Sequence, residues 1–389
     1  MLDFTWVVAG PVATRILADH GAEVIKLERK PGPPGERQRG LQGDLHRNKL
    51  SIAVNMSNPN GVAIARRLAA KSDLVIDNFS ARVMRGWGMD YASLSKIKPD
   101  IICISMSGLG HTGPRASYVS YGPTLQALTG FTLLMTEENA EPAGYGYSYA
   151  DMAGGYSGAL AALIALWHRR RTGRGQFVDL SQFEALTSLV GPVLLDISVN
   201  YRAQSPPGYL SQEMPAAPHG VYKCQPRGDD DDRWIAISVR TQTEWERFVA
   251  AIGSPDWAQI PEFRTLFLRM RKREQLDRYV ASWTIENTAE HAMEILQGAG
   301  IAAGVVSNGE DICARDPQLQ DRDFWSMVEL PDGRRTNVTG TPFRLSATPG
   351  SIRSPSPPIG SSNDYVLGEL LGYSDADREQ LIAEGAIWP

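Results

Sequence analysis

LVIDN (Leu74–Asn78) and IICISM (Ile101–Met106) are short apolar runs closed off by polar residues, and they decide the fold. Runs of this length predict strands buried on both faces, the environment of a parallel sheet covered by helices. Upstream, LDFTWVV (Leu2–Val8), EVIKL (Glu23–Leu27) and Leu50–Val54 read as further strands. Between them, Pro11–His20 and Asn58–Lys71 read as helices, the second with Asn58 as N-cap and Pro59 in its first turn. The expected fold class is α/β, with a large domain on an open, doubly wound, mostly parallel sheet of Rossmann-like type. Ligands are expected at the carboxyl ends of its strands. Because Leu2 already lies in a strand-like run, the native chain is expected to begin a little earlier.

Farther along, Ala153–Arg171 and Gln182–Tyr201 read as two long helices joined through a short strand, Phe177–Leu180. Residues 204–218 are rich in Pro, Ser and Ala and read as a linker. A smaller α/β domain is expected over 219–325, with a strand at Trp234–Val239 and helices at Thr241–Ile252, Lys272–Ile285 and Thr288–Ala299. Residues 326–389, Pro-rich at first and then a helical pair around Asn363–Glu384, are expected to return to the domain opened by 1–203.

The 389 residues carry a net charge of −5, which argues against nucleic-acid binding because that requires a basic face. No apolar run is expected to reach the roughly 18 residues of a membrane span. Cys103, Cys224 and Cys313 are far apart with no CxxC spacing, so neither a disulfide frame nor a zinc site is expected, and the setting reads as cytoplasmic. GDDDDR (Gly228–Arg233) reads as a solvated hairpin tip. The histidines, His111 and His219 included, form no metal-ligand spacing, and no metal is expected.

The residue with the sharpest chemistry is Asp151, in YADMAGG (Tyr149–Gly155) at the start of a long apolar helix. Two readings stand side by side. A carboxylate beside glycines at a helix start suits a nucleophile approached by a bulky ligand; the same residues suit an N-cap followed by glycines that let helices pack. GLGHTG (Gly108–Gly113) matches the dinucleotide pattern but falls after a late strand and lacks an immediate helix. Arg29–Gly40, His46–Lys49 and Asn78–Gly86 are basic loops at strand ends, where a phosphate-bearing ligand would bind.

LDFTWVVAGP, LADHGAEVIKLE, NFSARVMRGWGMDY, SMSGLGHTGP, YADMAGG and RRRTGRGQFVDLSQFEAL together resemble the landmarks of the class III coenzyme A transferases, essentially from Leu2 to the C-terminus. APHGVY (Ala217–Tyr222) and GIAAGVV (Gly300–Val306) fit the smaller domain. The resemblance implies an interlocked homodimer, with a heteromer of homologous chains as the alternative. It also implies a CoA thioester as substrate, with no permanently bound cofactor. The family's catalytic aspartate falls on Asp151. Its CoA-contacting positions fall on Val8, Ala9, Arg29, the segment from Val54 to Ser57, Asn78, Phe79, Ser80, Arg85, Tyr121 and Gly122. Val8 stands where the formyl-CoA branch carries glutamine, which argues against that substrate. Tyr121 stands where the racemase branch carries histidine. A phenol with an ordinary pKa near 10 is a poor replacement for a proton-shuttling imidazole, which favours transferase over racemase. The implied reaction moves CoA from an acyl-CoA donor, with succinyl-CoA the guess, to a carboxylic acid. A non-catalytic CoA-binding subunit and a nicotinamide-dependent oxidoreductase are the rivals.

Overall fold

The computed structural model describes residues 1–32, 40–136, 140–144, 146–201 and 215–389. Most of the basic loop Arg29–Gly40, Tyr145 and linker positions 204–214 lie outside the described residues. Two compact units result: Met1–Thr132, Gly144–Arg202 and Pro317–Pro389 form the larger, Leu133–Ala143 and Ala203–Asp316 the smaller.

The larger unit is built on six parallel strands, β1 (Leu2–Asp3), β2 (Ile25–Glu28), β3 (Leu50–Ala53), β4 (Leu74–Asp77), β5 (Ile102–Ser105) and β6 (Gln176–Asp179), in the order β3-β2-β1-β4-β5-β6. Strand order therefore reverses between β1 and β4, and a crevice opens at their carboxyl ends. Alternation along the strands feeds two cores. Leu74, Ile76, Ile102 and Ile104 meet helix α1 (Ala9–Asp19) on one face. Val75, Cys103 and Ile52 meet α2 (Pro59–Lys71) and the C-terminal Val366, Leu367 and Leu381 on the other. Asn58 caps α2 by accepting from Asn60 N, with Pro59 in the first turn, as the sequence predicts.

Three further helices of this unit matter for the site: α3 (Ala81–Gly86), α4 (Gly122–Leu128) and α5 (Tyr149–Thr172). Helix α5 packs on α1 through small residues. A Cβ on Gly155 would fall 2.6 Å from the Val12 side chain and 2.9 Å from Ala9 O, so only glycine permits this approach.

Two sequence expectations need correction. The run Leu2–Val8 is a strand only at Leu2–Asp3, because the Asp3 carboxylate captures the Thr5 amide at 2.8 Å and its hydroxyl at 2.6 Å and turns the chain out of the sheet. The run Gln182–Tyr201 is divided into α6 (Gln182–Thr187), a 3-10 turn (Ser188–Val190) and α7 (Gly191–Asn200), with Pro192 removing a backbone donor at the join. Its helical path Gln182–Asn200 spans 19 residues at a mean hydropathy of 1.2, the one stretch among the described residues long and apolar enough to cross a membrane by length and composition.

The smaller unit holds an antiparallel sheet, β7 (His219–Lys223), β8 (Trp234–Ser238) and β9 (Ala302–Val305), in that order. Helices α8 (Gln242–Ala251), α9 (Arg273–Thr284) and α10 (Ala289–Gly298) cover it, burying Trp245, Phe248, Leu276, Val280 and Leu296. GDDDDR forms the β7–β8 turn, where Asp230 pairs with Arg227 and Arg233.

Candidate active site

The site has two parts joined by one segment, Thr5–Ala9. The first is a cavity of about 1090 Å³ at the carboxyl ends of β1 to β4, the position that the strand order dictates. Phe4, Trp6, Phe79 and Trp87 supply aromatic walls, Lys26, Arg29, Lys30 and His46 supply basic groups, and Val54–Ser57 closes one side. The Arg29 guanidinium lies 5.8 Å from the centre of the Trp6 ring, which fixes its charge at the cavity mouth. The Asn78 amide reaches across the switch point, donating to Trp6 O and accepting from Trp6 N at 2.9 Å each.

The second part surrounds Asp151. Ser148, not Asp151, is the N-cap residue of α5, and Asp151 sits inside the first turn. Its carboxylate is half-buried between the start of α1 and the start of α4. A Cβ on Gly122 would fall 2.6 Å from Asp151 Oδ2 and 1.6 Å from Ser148 Oγ, so the α4 backbone lies directly against the carboxylate. Burial pushes the Asp151 pKa up, while the Ser148 hydroxyl and the Ala9 amide favour the ionised form. Ser148 Oγ approaches without full hydrogen-bond geometry to any described residue, so the contact is loose. The result is a half-buried carboxylate more basic than usual, facing the Ala9 amide.

The segment between the two parts is held by a buried charge cluster. Asp3 lies between Lys26 Nζ at 3.5 Å and Lys49 Nζ at 3.4 Å and accepts from Thr14 Oγ1 at 2.7 Å. Lys26 also donates to Thr5 O, and Lys49 to Thr14 Oγ1 and Pro11 O. Against the opposing effect of burial, these two lysines and the Thr5 and Thr14 hydroxyls hold the Asp3 carboxyl down to about 2, and the cluster locks the entry to α1.

Of the residues named from sequence, Arg29, Val54, Ser57 and Phe79 line the cavity, and Asn78 braces its floor. Ala9, the first residue of α1, and Gly122, the first residue of α4, adjoin Asp151, while Val8 and Tyr121 are the N-caps of those two helices. Ser80 and Arg85 do not line the cavity: Ser80 is the exposed N-cap of α3 and Arg85 an exposed residue within it. Gly154 and Gly155, the glycines beside Asp151, offer it no free N–H groups. They lie beyond the first turn of α5, where their amides belong to the helix, and serve packing instead. GLGHTG follows β5 with no helix opening on it, and the His111 amide donates to the Asp179 carboxylate at 2.9 Å, which ties the loop to β6. Trp6, Trp87, Lys26 and Trp388 line the cavity without having been singled out. Trp6 had a signal, an aromatic at a strand's end; Trp388, next to last in the chain, had none.

The model for CoA-transferase family III matches residues 1–363. A probable CoA-transferase of Mycobacterium tuberculosis is 33% identical over 99% of this chain, and the chain spans about half (49%) of that relative's length. The succinyl-CoA–D-citramalate CoA-transferase of Chloroflexus aurantiacus is 29% identical over 98% of this chain and 95% of its own. The crystal structure of a CAIB/BAIF family protein from Brucella suis superposes with a TM-score of 0.84 at 26% identity, covering 95% of this chain and 97% of that one.

Proposed function

The chain belongs to CoA-transferase family III and is a CoA-transferase, and from that premise we propose that Asp151 is its nucleophile and that the cavity beside Trp6 and Arg29 receives the CoA moiety. The observation that carries this reading is the course of Thr5–Ala9: Thr5–Val7 line the cavity, and two residues on, the Ala9 amide faces the Asp151 carboxylate. A thioester whose nucleotide end fills the cavity thereby brings its acyl carbon to Asp151.

The chemistry proceeds in two exchanges. Ionised Asp151 attacks the thioester carbonyl, the C–S bond breaks, and a mixed anhydride and CoA thiolate form. The thiolate attacks the aspartyl carbonyl, leaving an aspartyl-CoA thioester and releasing the donor carboxylate. The acceptor carboxylate then reverses both steps and leaves as the new acyl-CoA. One thioester replaces another, so the reaction is close to energetically neutral. Succinyl-CoA is the proposed donor, because a relative matched along nearly its whole length is named for it.

A homodimer is the proposed assembly. Helix α5 presents Tyr156, Leu160, Leu163, Ile164 and Trp167 to solvent, and α7 adds Leu194, Leu195 and Val199, an apolar area that a second copy would cover. The three free thiols suit a reducing, cytoplasmic setting.

Asp151→Asn is expected to lower CoA transfer from succinyl-CoA by at least about 10³-fold while the Kd for free CoA stays within about threefold, since the amide keeps the shape and loses the nucleophile. Transfer at the wild-type rate would refute the assignment.

A further inference from the structure

Helix α5 opens with SYAD (Ser148–Asp151), which has the form of a capping box, in which hydroxyl and carboxylate each bond a backbone N–H at the helix start. The same pattern closes elsewhere in the chain. Thr241 and Glu244 close it at the start of α8, and Ser374 and Asp377 at the start of the C-terminal helix Asp375–Ala383. At α5 the Ser148 side chain makes no cap hydrogen bond, and the box stays open. The packing of α4 accounts for where the hydroxyl lies instead. The point at which a Cβ on Gly122 would fall is 1.6 Å from Ser148 Oγ and 2.6 Å from Asp151 Oδ2. Hydroxyl and carboxylate oxygen therefore stand side by side against one stretch of backbone. Ser148 Oγ is buried there and makes no hydrogen bond of full geometry to any described residue. A buried hydroxyl that neither caps its helix nor is fully bonded holds a donor in reserve.

Transfer through Asp151 builds negative charge in two different places. When the carboxylate attacks the thioester, the charge appears on the substrate's carbonyl oxygen. When the CoA thiolate attacks the mixed anhydride, an S–C bond forms at the aspartyl carbon, and the electron pair of its C=O bond moves onto the Asp151 oxygen. Re-forming that C=O bond breaks the bond to the donor carboxylate, which leaves. No proton changes hands. A donor beside the aspartyl oxygen serves this second kind of step and not the first. A hydroxyl held loosely in the resting enzyme is well suited to it, because a bond that tightens only in the transition state lowers the barrier. The Ala9 amide reaches the same carboxylate from α1, so donors from two elements converge on it.

We propose that Ser148 is a further catalytic residue, whose hydroxyl donates to the oxyanion on Asp151 Oδ2 whenever the aspartyl carbonyl is attacked, leaving Oδ1 as the attacking atom. This rests on the assignment of Asp151 as nucleophile. The open capping box is what allows it: a hydroxyl committed to the helix start would have no hydrogen to give the carboxylate's oxygen at the right place.

The test mixes enzyme with succinyl-CoA, quenches at intervals and follows adducts on Asp151 by intact-protein mass spectrometry with peptide mapping. Ser148→Ala should form the aspartyl-CoA thioester about 10²-fold more slowly than wild type, the scale of one lost oxyanion donor. A succinyl-sized adduct, the mixed anhydride, should accumulate in its place, while the Kd for free CoA stays within about threefold. Ser148→Gly removes the same hydroxyl and remains a good N-cap, so it should match Ser148→Ala in rate and wild type in Tm. Formation of the CoA adduct at the wild-type rate in both variants would overturn the proposal and leave Asp151 as nucleophile. So would variants in which neither adduct builds up, because the step lost would then be the first. A wild type that transfers CoA with no adduct on Asp151 would overturn the nucleophile and this proposal together.

Discussion

The larger unit sets a buried charge cluster around the end of β1, and the smaller unit uses buried charge to hold helices to a sheet. Asp3, Lys26 and Lys49 meet where the chain leaves β1, and what they fix is a loop and the first turn of α1. In the smaller unit Arg233 donates to Asp311 and Glu290 at 2.6 Å each, joining the β7–β8 turn to the start of α10. Arg269, also fully buried, rests on the carbonyls of Ala217 and Phe263 at 3.0 Å and on the Trp245 face at 4.5 Å. Burial alone pushes its pKa down to about 10, so it remains a cation there. Buried ion pairs add little net stability over apolar packing, yet breaking one is costly. The difference between the units is therefore in what breaks: geometry at the reacting end in one, architecture in the other.

The largest expected effect comes from Asp3→Asn. It leaves two buried ammonium groups without their shared anion and should cost about 3–5 kcal/mol in urea unfolding, with slowed transfer in the protein that remains folded. The sign of the pH dependence follows from the Asp3 pKa of about 2. Its stabilisation is present above the unfolded value near 4 and is lost as pH falls through 2. Asp311→Asn should cost comparably in stability, because Arg227 and Arg233 both bond to that carboxylate, but leave kcat of the folded protein within about twofold. Equal effects of the two variants on kcat would break the comparison.

Gly122→Ala sharpens it from the other side. The added methyl collides with Ser148 and Asp151, so kcat should fall by about 10²-fold, the scale of a displacement near 1 Å, with little change in Tm. Smallest is Asp77→Asn. Asp77 is fully buried below Phe79, accepts from Ser105 Oγ and the Phe79 amide, and is pushed up to about 7 by burial. Its native state holds a proton that the unfolded chain releases near pH 4, so stability should decline as pH rises from about 4 to 7. Asn should remove that decline, raising Tm at pH 8 and not at pH 4.

Periodic features were legible in the sequence. The buried strands, the Asn58–Pro59 helix start and the β7–β8 hairpin follow from local patterning, and their physics is local. Strand β1 was not, because its end is set by a side chain capturing the backbone two residues on. The break at Pro192 was visible as a residue and missed as a consequence. At the site, the glycines beside Asp151 pointed to close approach, but only the packing of α1 on α5 shows that Gly155 meets a helix and Gly122, 29 positions earlier in the sequence, meets the carboxylate. Resemblance marked Arg29, Phe79 and Val54, which line the cavity; nothing local marked Trp388.

The most direct test of the central claim is intact-protein mass spectrometry after incubation with succinyl-CoA, followed by peptide mapping. A hydroxylamine-labile CoA adduct on Asp151, absent in Asp151→Asn, is the expected result. An adduct on another residue, or turnover without any adduct on Asp151 under trapping conditions, would contradict it.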